Sequence, residues 1–443
     1  MKKFNPRGFS RRDFLRTAGI GLGGLAVARL PMPVIAQGAL DFWTQPYGDT
    51  VEWAAFINEL AEQFANETGI DVATEVINWD NAANTWLLVS SGGAAPDTAD
   101  MFWLYTHSAI GGDQFGPLPL TEYQDEYFPD LEERFIAGAL SDVFWRGDFY
   151  GIPWRGDIRP QIYRTDVFEE FGLEAGPDNW DEIAEYAREM TIRDSSGNVE
   201  RWGLSFGTAT PLQSLLPLYW SAGGEFMTED GLTATIDNEA MRETLNWMRD
   251  RVWVDQVVDP NFMETGYDPE AEFQNGRLAM IMSVSDSYGA DLERDYPELN
   301  GLWAMAIPPM GPARRASYSG AGYWGVLRGT DQIEESLKWI QFLARDDNML
   351  AFAERTGRVS ANRAVMNSEF WQDAEWKRVI VETLDYAHTS QHAAPAWSIL
   401  VAQARGSVLY DLYYDAVVLQ EDIDEVVTRA QQQAQEIMDQ AAV

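Results

Sequence analysis

Three aromatic residues, each followed two positions later by a polar or aromatic residue, stand where strand-like runs give out: Trp43 with Gln45, Trp79 with Asn81, and Trp103 with Tyr105. An indole offers a flat apolar face to the C–H face of a sugar ring while its N–H bonds outward, and amides both donate and accept to hydroxyls. A further aromatic pair, Tyr323 and Trp324, follows Gly320 and Gly322, where a backbone without a side chain lets a ligand approach closely. Catalytic constellations are sparse. The letters of a nucleophile elbow occur once, Gly203-Leu204-Ser205-Phe206-Gly207, but only His107, His388 and His392 could serve as its base. There is no cysteine, so iron–sulfur and Cys-ligated zinc sites are excluded, and three histidines make a His-rich metal site improbable; no cofactor is implied.

The N-terminus carries a different message. Ser10-Arg11-Arg12-Asp13-Phe14-Leu15-Arg16 precedes a Gly- and Ala-rich apolar run that is broken by Arg29, Pro31 and Pro33 and ends at Val34-Ile35-Ala36. The run is short of the roughly 20 apolar residues of a spanning helix, and its pattern is that of a cleaved twin-arginine export signal. Residues 1–36 are therefore set aside from the fold, and a periplasmic location is expected. Removing them, with seven Lys/Arg and one acid, takes the formal net charge from −38 to −44. Such a surface repels nucleic acid and anionic membranes, and acidity spread along the whole chain reads as solubility in a salty medium. Many of the 18 Trp, 17 Tyr and 21 Phe should fill cores, but an exported, acidic, Trp-rich chain without cysteine suggests binding of a polyhydroxylated solute.

The elements that must position these residues follow an alternating order. Ala39–Thr44, Ile70–Val76 and Ala99–Trp103 read as strands, separated by helical stretches 51–64 and 82–91 that end at Gly69 and Gly92-Gly93. That order gives a parallel sheet wound with helices, an α/β class, with ligands at the loops after the strands. Helices follow over 180–190, 211–222, 238–254, 332–344, 346–355 and 423–440. Strands are expected at 148–154, 161–164, 201–206, 278–282, 302–306 and 323–327, with a Pro/Gly linker at 308–312.

Five stretches in this order resemble the extracytoplasmic solute-binding proteins of ABC transporters, family 1, the carbohydrate-binding, maltose-binding-protein-like group. They are Gly69–Val72 leading to Ser91-Gly92-Gly93-Ala94-Ala95-Pro96-Asp97; Tyr150–Trp154 running into Ile162–Phe168; Asn179-Trp180-Asp181-Glu182; Phe273–Met280; and Gly320–Val326 with Phe352–Gly357 behind it. Arg164-Thr165 and Asn179 depart from the usual family residues. The resemblance implies two α/β lobes of the type II periplasmic-binding-protein fold, joined by hinge strands around a cleft that closes on its ligand. It places the N-terminal lobe at 37–155 and 273–316 and the C-terminal lobe at 156–272 and 317–443, with crossings near 152–160, 261–273 and 307–318. It also implies further ligand positions: Trp154, Asp157 and Arg159 in the first crossing, then Gln213, Asp286, Tyr288, Arg358 and Trp397. The expected activity is capture of a sugar or polyol, without catalysis, by a monomer that delivers it to an inner-membrane permease. A glycerol-phosphate or osmolyte ligand and an exported carbohydrate-active enzyme are the alternatives.

Overall fold

The computed structural model describes residues 38–90, 92–102, 115–207, 210–320, 322–388, 394–402 and 404–441. The export-signal segment, Trp103 and Tyr105 lie outside these residues.

The first sheet is made of β1 (Leu40–Thr44), β2 (Val72–Val76), β3 (Thr98–Phe102), β4 (Ile152–Arg155) and β11 (Gly322–Val326), in the order β2-β1-β3-β11-β4. The first three are parallel, with Leu40 opposite Val72 and Phe42 opposite Thr98, so their C-terminal ends share one edge. Helix α1 (Thr50–Thr68) connects β1 to β2. Asp49 caps it by accepting from the Val51 and Glu52 amides, and Gly69 ends it at φ 76°, a left-handed conformation that glycine adopts without steric cost. Helix α2 (Trp79–Ser90) connects β2 to β3.

The second sheet has the order β9-β5-β8-β7-β6, from β5 (Gln161–Arg164), β6 (Ile192–Arg193), β7 (Val199–Ser205), β8 (Leu278–Ile281) and β9 (Trp303–Ala306). Helix α3 (Trp180–Met190) lies on β7, and the two elements meet at Gly203, where an added Cβ would collide with the Ala187 backbone carbonyl. Asn179 caps α3 through the Glu182 amide, while Glu182 reaches back to the Asp178 amide. Helices α4 (Pro211–Ser221) and α5 (Glu239–Trp253) and the C-terminal α9 (Ile423–Ala441) complete this half, and a core of Leu215, Trp220, Met241, Leu245, Val427 and Ala434 joins them.

Helix and strand positions follow the sequence reading closely; lobe membership does not. β8 and β9 bond to β5 in the second sheet, and β11 bonds to β3 and β4 in the first. Residues 278–281 and 303–306 therefore belong with the second sheet and 322–326 with the first, the reverse of the expected assignment. Helix α6 (Ile333–Leu343) packs on β11 as well. The expected crossing at 261–273 is no crossing: the Pro269–Gln274 helix packs on β8, and the Phe273 carbonyl accepts from Arg164 Nη1. The chain passes between sheets at 156–160 and again over 307–320. A third passage follows α7 (Asp346–Thr356): Ser360 and Asn362 bridge to Arg155 and Phe135, and α8 (Glu375–Thr383) then lies on β9. A short parallel ladder of β10 (Ser317–Tyr318) with β12 (Ala387–His388) braces the junction. An apolar strand is compatible with several neighbours, so register and partner come from the packed fold.

Candidate functional site

The common C-terminal edge of β1, β2 and β4 carries Tyr47, Trp79 and Arg155, and the first passage adds Asp157 and Arg159. From the second sheet comes Asp286, after β8; Arg358 follows the Gly357 cap of α7. These groups form one guanidinium–carboxylate cluster. Arg159 Nη2 lies 2.9 Å from Asp157 Oδ1 and donates to Oδ2 at 3.0 Å, while Arg155 Nη1 stands 3.9 Å from the same carboxylate. Arg358 Nη1 donates to Asp286 Oδ1 at 3.2 Å and to Ser285 Oγ at 3.3 Å, and Asp286 Oδ2 accepts from the Val359 amide at 2.9 Å. Two guanidiniums also cover one ring: the Arg155 and Arg358 Cζ atoms are 5.0 and 5.7 Å from the Tyr47 centroid. Arg159 stands 6.0 Å from the Tyr318 ring.

Burial sets the electrostatics. Asp157 is raised above the usual carboxylate range by burial, with Asp286 adding to the rise, although Arg159 and Arg155 oppose it. Burial works against the Arg155 charge, but Tyr47, Asp157 and Asp286 more than offset it and hold its pKa above the ordinary guanidinium value. Half-buried Glu270 is raised by burial, then by Asp268 and Asp291, with Arg159 and Arg358 pulling the other way. Beneath the cluster, Asp100 Oδ1 accepts from Trp154 Nε1 at 2.8 Å and Oδ2 from Thr44 Oγ1 at 3.3 Å. Its burial pushes the carboxyl up to about 6.

Of the expected ligand positions, the cluster unites Asp157, Arg159, Asp286 and Arg358. Trp79, 36% exposed, stands at its rim with Nε1 donating to the Pro46 carbonyl and its ring edge-on to Tyr47. Half-buried Trp43 packs beside Trp86, and Asn81 is exposed in α2. On the second sheet's side, half-buried Gln213 opens α4, and its carbonyl accepts from Ser283 Oγ just after β8.

The other positions are taken up by packing. Gln45 is fully buried; its amide, oriented to satisfy both neighbours, donates to the Asp100 carbonyl and accepts from Trp86 Nε1. The Trp154 indole stacks on Trp324 at 5.6 Å and 11°, with Tyr47, Trp53 and Phe352 closing round it, so neither indole has an open face. Gly322 leaves its space to protein: a Cβ there would stand 3.0 Å from Arg155 Nε and 3.2 Å from Trp154 Nε1. Tyr323 is core. Tyr288 is buried with its hydroxyl donating to the Glu270 carbonyl, and Trp397 is buried edge-on to Phe226 in the second core. Sequence reasoning missed Tyr47, Asp100, Arg155, Ser285 and Glu270. The run Trp154-Arg155-Gly156-Asp157-Ile158-Arg159 was the available signal, since alternate charges in a Pro- and Gly-flanked strand must point somewhere other than solvent.

The nucleophile-elbow letters resolve into ordinary strand structure. Ser205 ends β7, fully buried; its Oγ accepts from the Gly207 amide and from the Tyr267 hydroxyl, with a tyrosine where a triad would need histidine. His388 pairs instead with Glu225, Nε2 to Oε2 3.0 Å, on the β12 ladder. No group of three or more His, Asp or Glu among the described residues is arranged to hold a metal ion.

Comparison with known proteins agrees with this architecture. The family model for bacterial extracellular solute-binding proteins matches residues 47–350. An arabinooligosaccharide-binding protein of Halalkalibacterium halodurans is 23% identical over 267 residues, 58% of this chain and 55% of that one. Two solved structures share the two-lobe fold. An ABC-transporter solute-binding protein of Thermotoga lettingae bound to α-D-tagatose has a TM-score of 0.75 at 18% identity, over 90% of this chain and 99% of that one. UgpB of Mycobacterium tuberculosis with glycerophosphocholine has a TM-score of 0.71 at 19% identity, over 92% and 100%.

Proposed function

The chain belongs to the bacterial extracellular solute-binding proteins, an extracytoplasmic family, and on that premise we propose that it is the receptor of an ABC importer for a sugar or polyol. The observation that carries this reading is the cluster at the junction of the two sheets. It offers guanidinium donors and carboxylate acceptors about 3 Å apart, the alternation that a run of hydroxyls requires. Each charge-assisted bond contributes roughly 1.5–3 kcal/mol, so a few suffice for micromolar binding of about −8 kcal/mol. The two sheets approach around the bound solute by a hinge motion at the passages, and the ligand stabilises the closed arrangement by its extra contacts there.

Relatives and neighbours of the fold bind an arabinooligosaccharide, tagatose and glycerophosphocholine, which supports a solute of this general kind. Export by the twin-arginine route, residence in the periplasm, a monomeric state and docking on a membrane permease belong to the same reading. So does binding without catalysis, which the partnered Ser205 supports. A thermal-shift screen over neutral sugars, polyols, betaines and glycerol phosphates tests it: a sugar or polyol should raise the melting temperature and be recovered unchanged. Trp103→Ala should then weaken the hit. Consumption of the solute, or no response from any sugar or polyol, would overturn the reading.

A further inference from the structure

Resting on that solute-binding reading, we propose that the ligand is one neutral sugar unit or a short polyol, held by the ion-pair cluster and not by a row of stacking rings. The first ground is the state of the rings. A groove for an oligosaccharide needs open aromatic faces in succession, each carrying one sugar unit. Around the cluster the described rings are already engaged. Trp154 and Trp324 stack on each other, the Tyr47 ring lies beneath two guanidiniums, and Tyr318 is fully buried beside Arg159. Trp79 is the well-exposed indole among the described residues that touch this group.

The second ground is charge. Arg155 and Arg159 stand against Asp157 and Arg358 against Asp286, so each guanidinium already has a carboxylate within reach. A phosphate or carboxylate ligand would have to displace one of these partners, and a protein of net charge −44 without its signal segment opposes that exchange. A quaternary cation would want free aromatic faces, which the arginines occupy. A hydroxyl needs neither: it donates to a carboxylate and accepts from a guanidinium while the ion pair stays intact.

Compactness is the third ground. Arg155, 3.9 Å from Asp157, and Arg358, 3.2 Å from Asp286, lie 5.0 and 5.7 Å from the one Tyr47 ring, so the two ion pairs form a single patch, not subsites spaced along a groove.

Calorimetric titration of the exported protein, without its signal segment, tests this with ribitol, tagatose, glucose, maltose, maltotriose, glucuronate, glycerophosphocholine and glycine betaine. The expected result is that a single-unit neutral ligand binds at least about tenfold more tightly than any oligosaccharide, and that glucose binds more tightly than glucuronate. Arg358→Lys, which keeps the charge but loses the guanidinium fork set against Asp286 and Ser285, should weaken the single-unit ligand about tenfold in a protein whose folding is confirmed by its melting transition. Tighter binding of maltotriose, or of the phosphodiester or glucuronate, would overturn the inference and leave the solute-binding reading standing. Silence across the whole panel would overturn both.

Discussion

Replacing Asp100 by Asn should stabilise this protein at neutral pH, and the gain should vanish in acid. Asp100 is 1% exposed, and burial raises its carboxyl from an ordinary 3.8 to about 6, with Trp154, Arg155 and Thr44 only partly offsetting the cost. Because the folded-state value is the higher one, the folded protein holds this proton more tightly than the unfolded chain does. The stabilisation is therefore fully present below about pH 4 and is lost as pH rises to about 6. At 1.36 kcal/mol per pH unit, the rise corresponds to about 3 kcal/mol. Asn keeps the acceptor for Trp154 Nε1 and turns an amide N–H towards Thr44 Oγ1, so the hydrogen bonds at 2.8 and 3.3 Å survive. Arg155 loses a nearby charge, which trims the gain to about 1–3 kcal/mol. With unfolding entropy near 2.1 cal/mol/K per residue over about 400 residues, the upper value is a rise of about 3–4 °C. Scanning calorimetry of both proteins from pH 4 to pH 8 measures it. A variant that melts lower than the parent at pH 8, or a difference that does not change with pH, would refute the reasoning: Arg155 would then be holding Asp100 ionised.

Other consequences are as direct. Gly203→Ala should cost about 2–3 kcal/mol, because the new methyl meets the Ala187 backbone, which has no rotamer to yield; a urea midpoint that does not move would contradict the packing of α3 on β7. Trp397→Ala should cost about 3–5 kcal/mol by emptying the core beside Phe226 while changing ligand affinity less than about threefold. The converse pattern, affinity lost and stability kept, would return Trp397 to the ligand. Glu225 is held below the usual carboxylate range: burial raises it, but His388 and Arg314 win. Its contribution is present above the carboxylate range and lost as pH falls through it, so Glu225→Gln should flatten the acid limb of the stability profile, and an unchanged limb would count against the pairing.

Much of this protein is legible in its sequence. Apolar spacing, Asp49 and Asn179 at helix starts and Gly69 at a helix end are local signals, and local backbone preferences act within a few residues, so the elements fell where the sequence put them. The ordered motifs likewise fixed the family. Asp157 and Arg159 of the first passage pair with each other, because a charge in an otherwise buried strand must meet another charge.

Tertiary structure decided the rest. Which sheet adopts residues 278–281, 303–306 and 322–326 depends on pairings across more than a hundred residues, and an apolar strand carries no label for its partner. The same holds for aromatic residues. An indole that stacks on a sugar and one that stacks on another indole need the same flat apolar face, and only packing showed that Trp154 and Trp324 had taken each other.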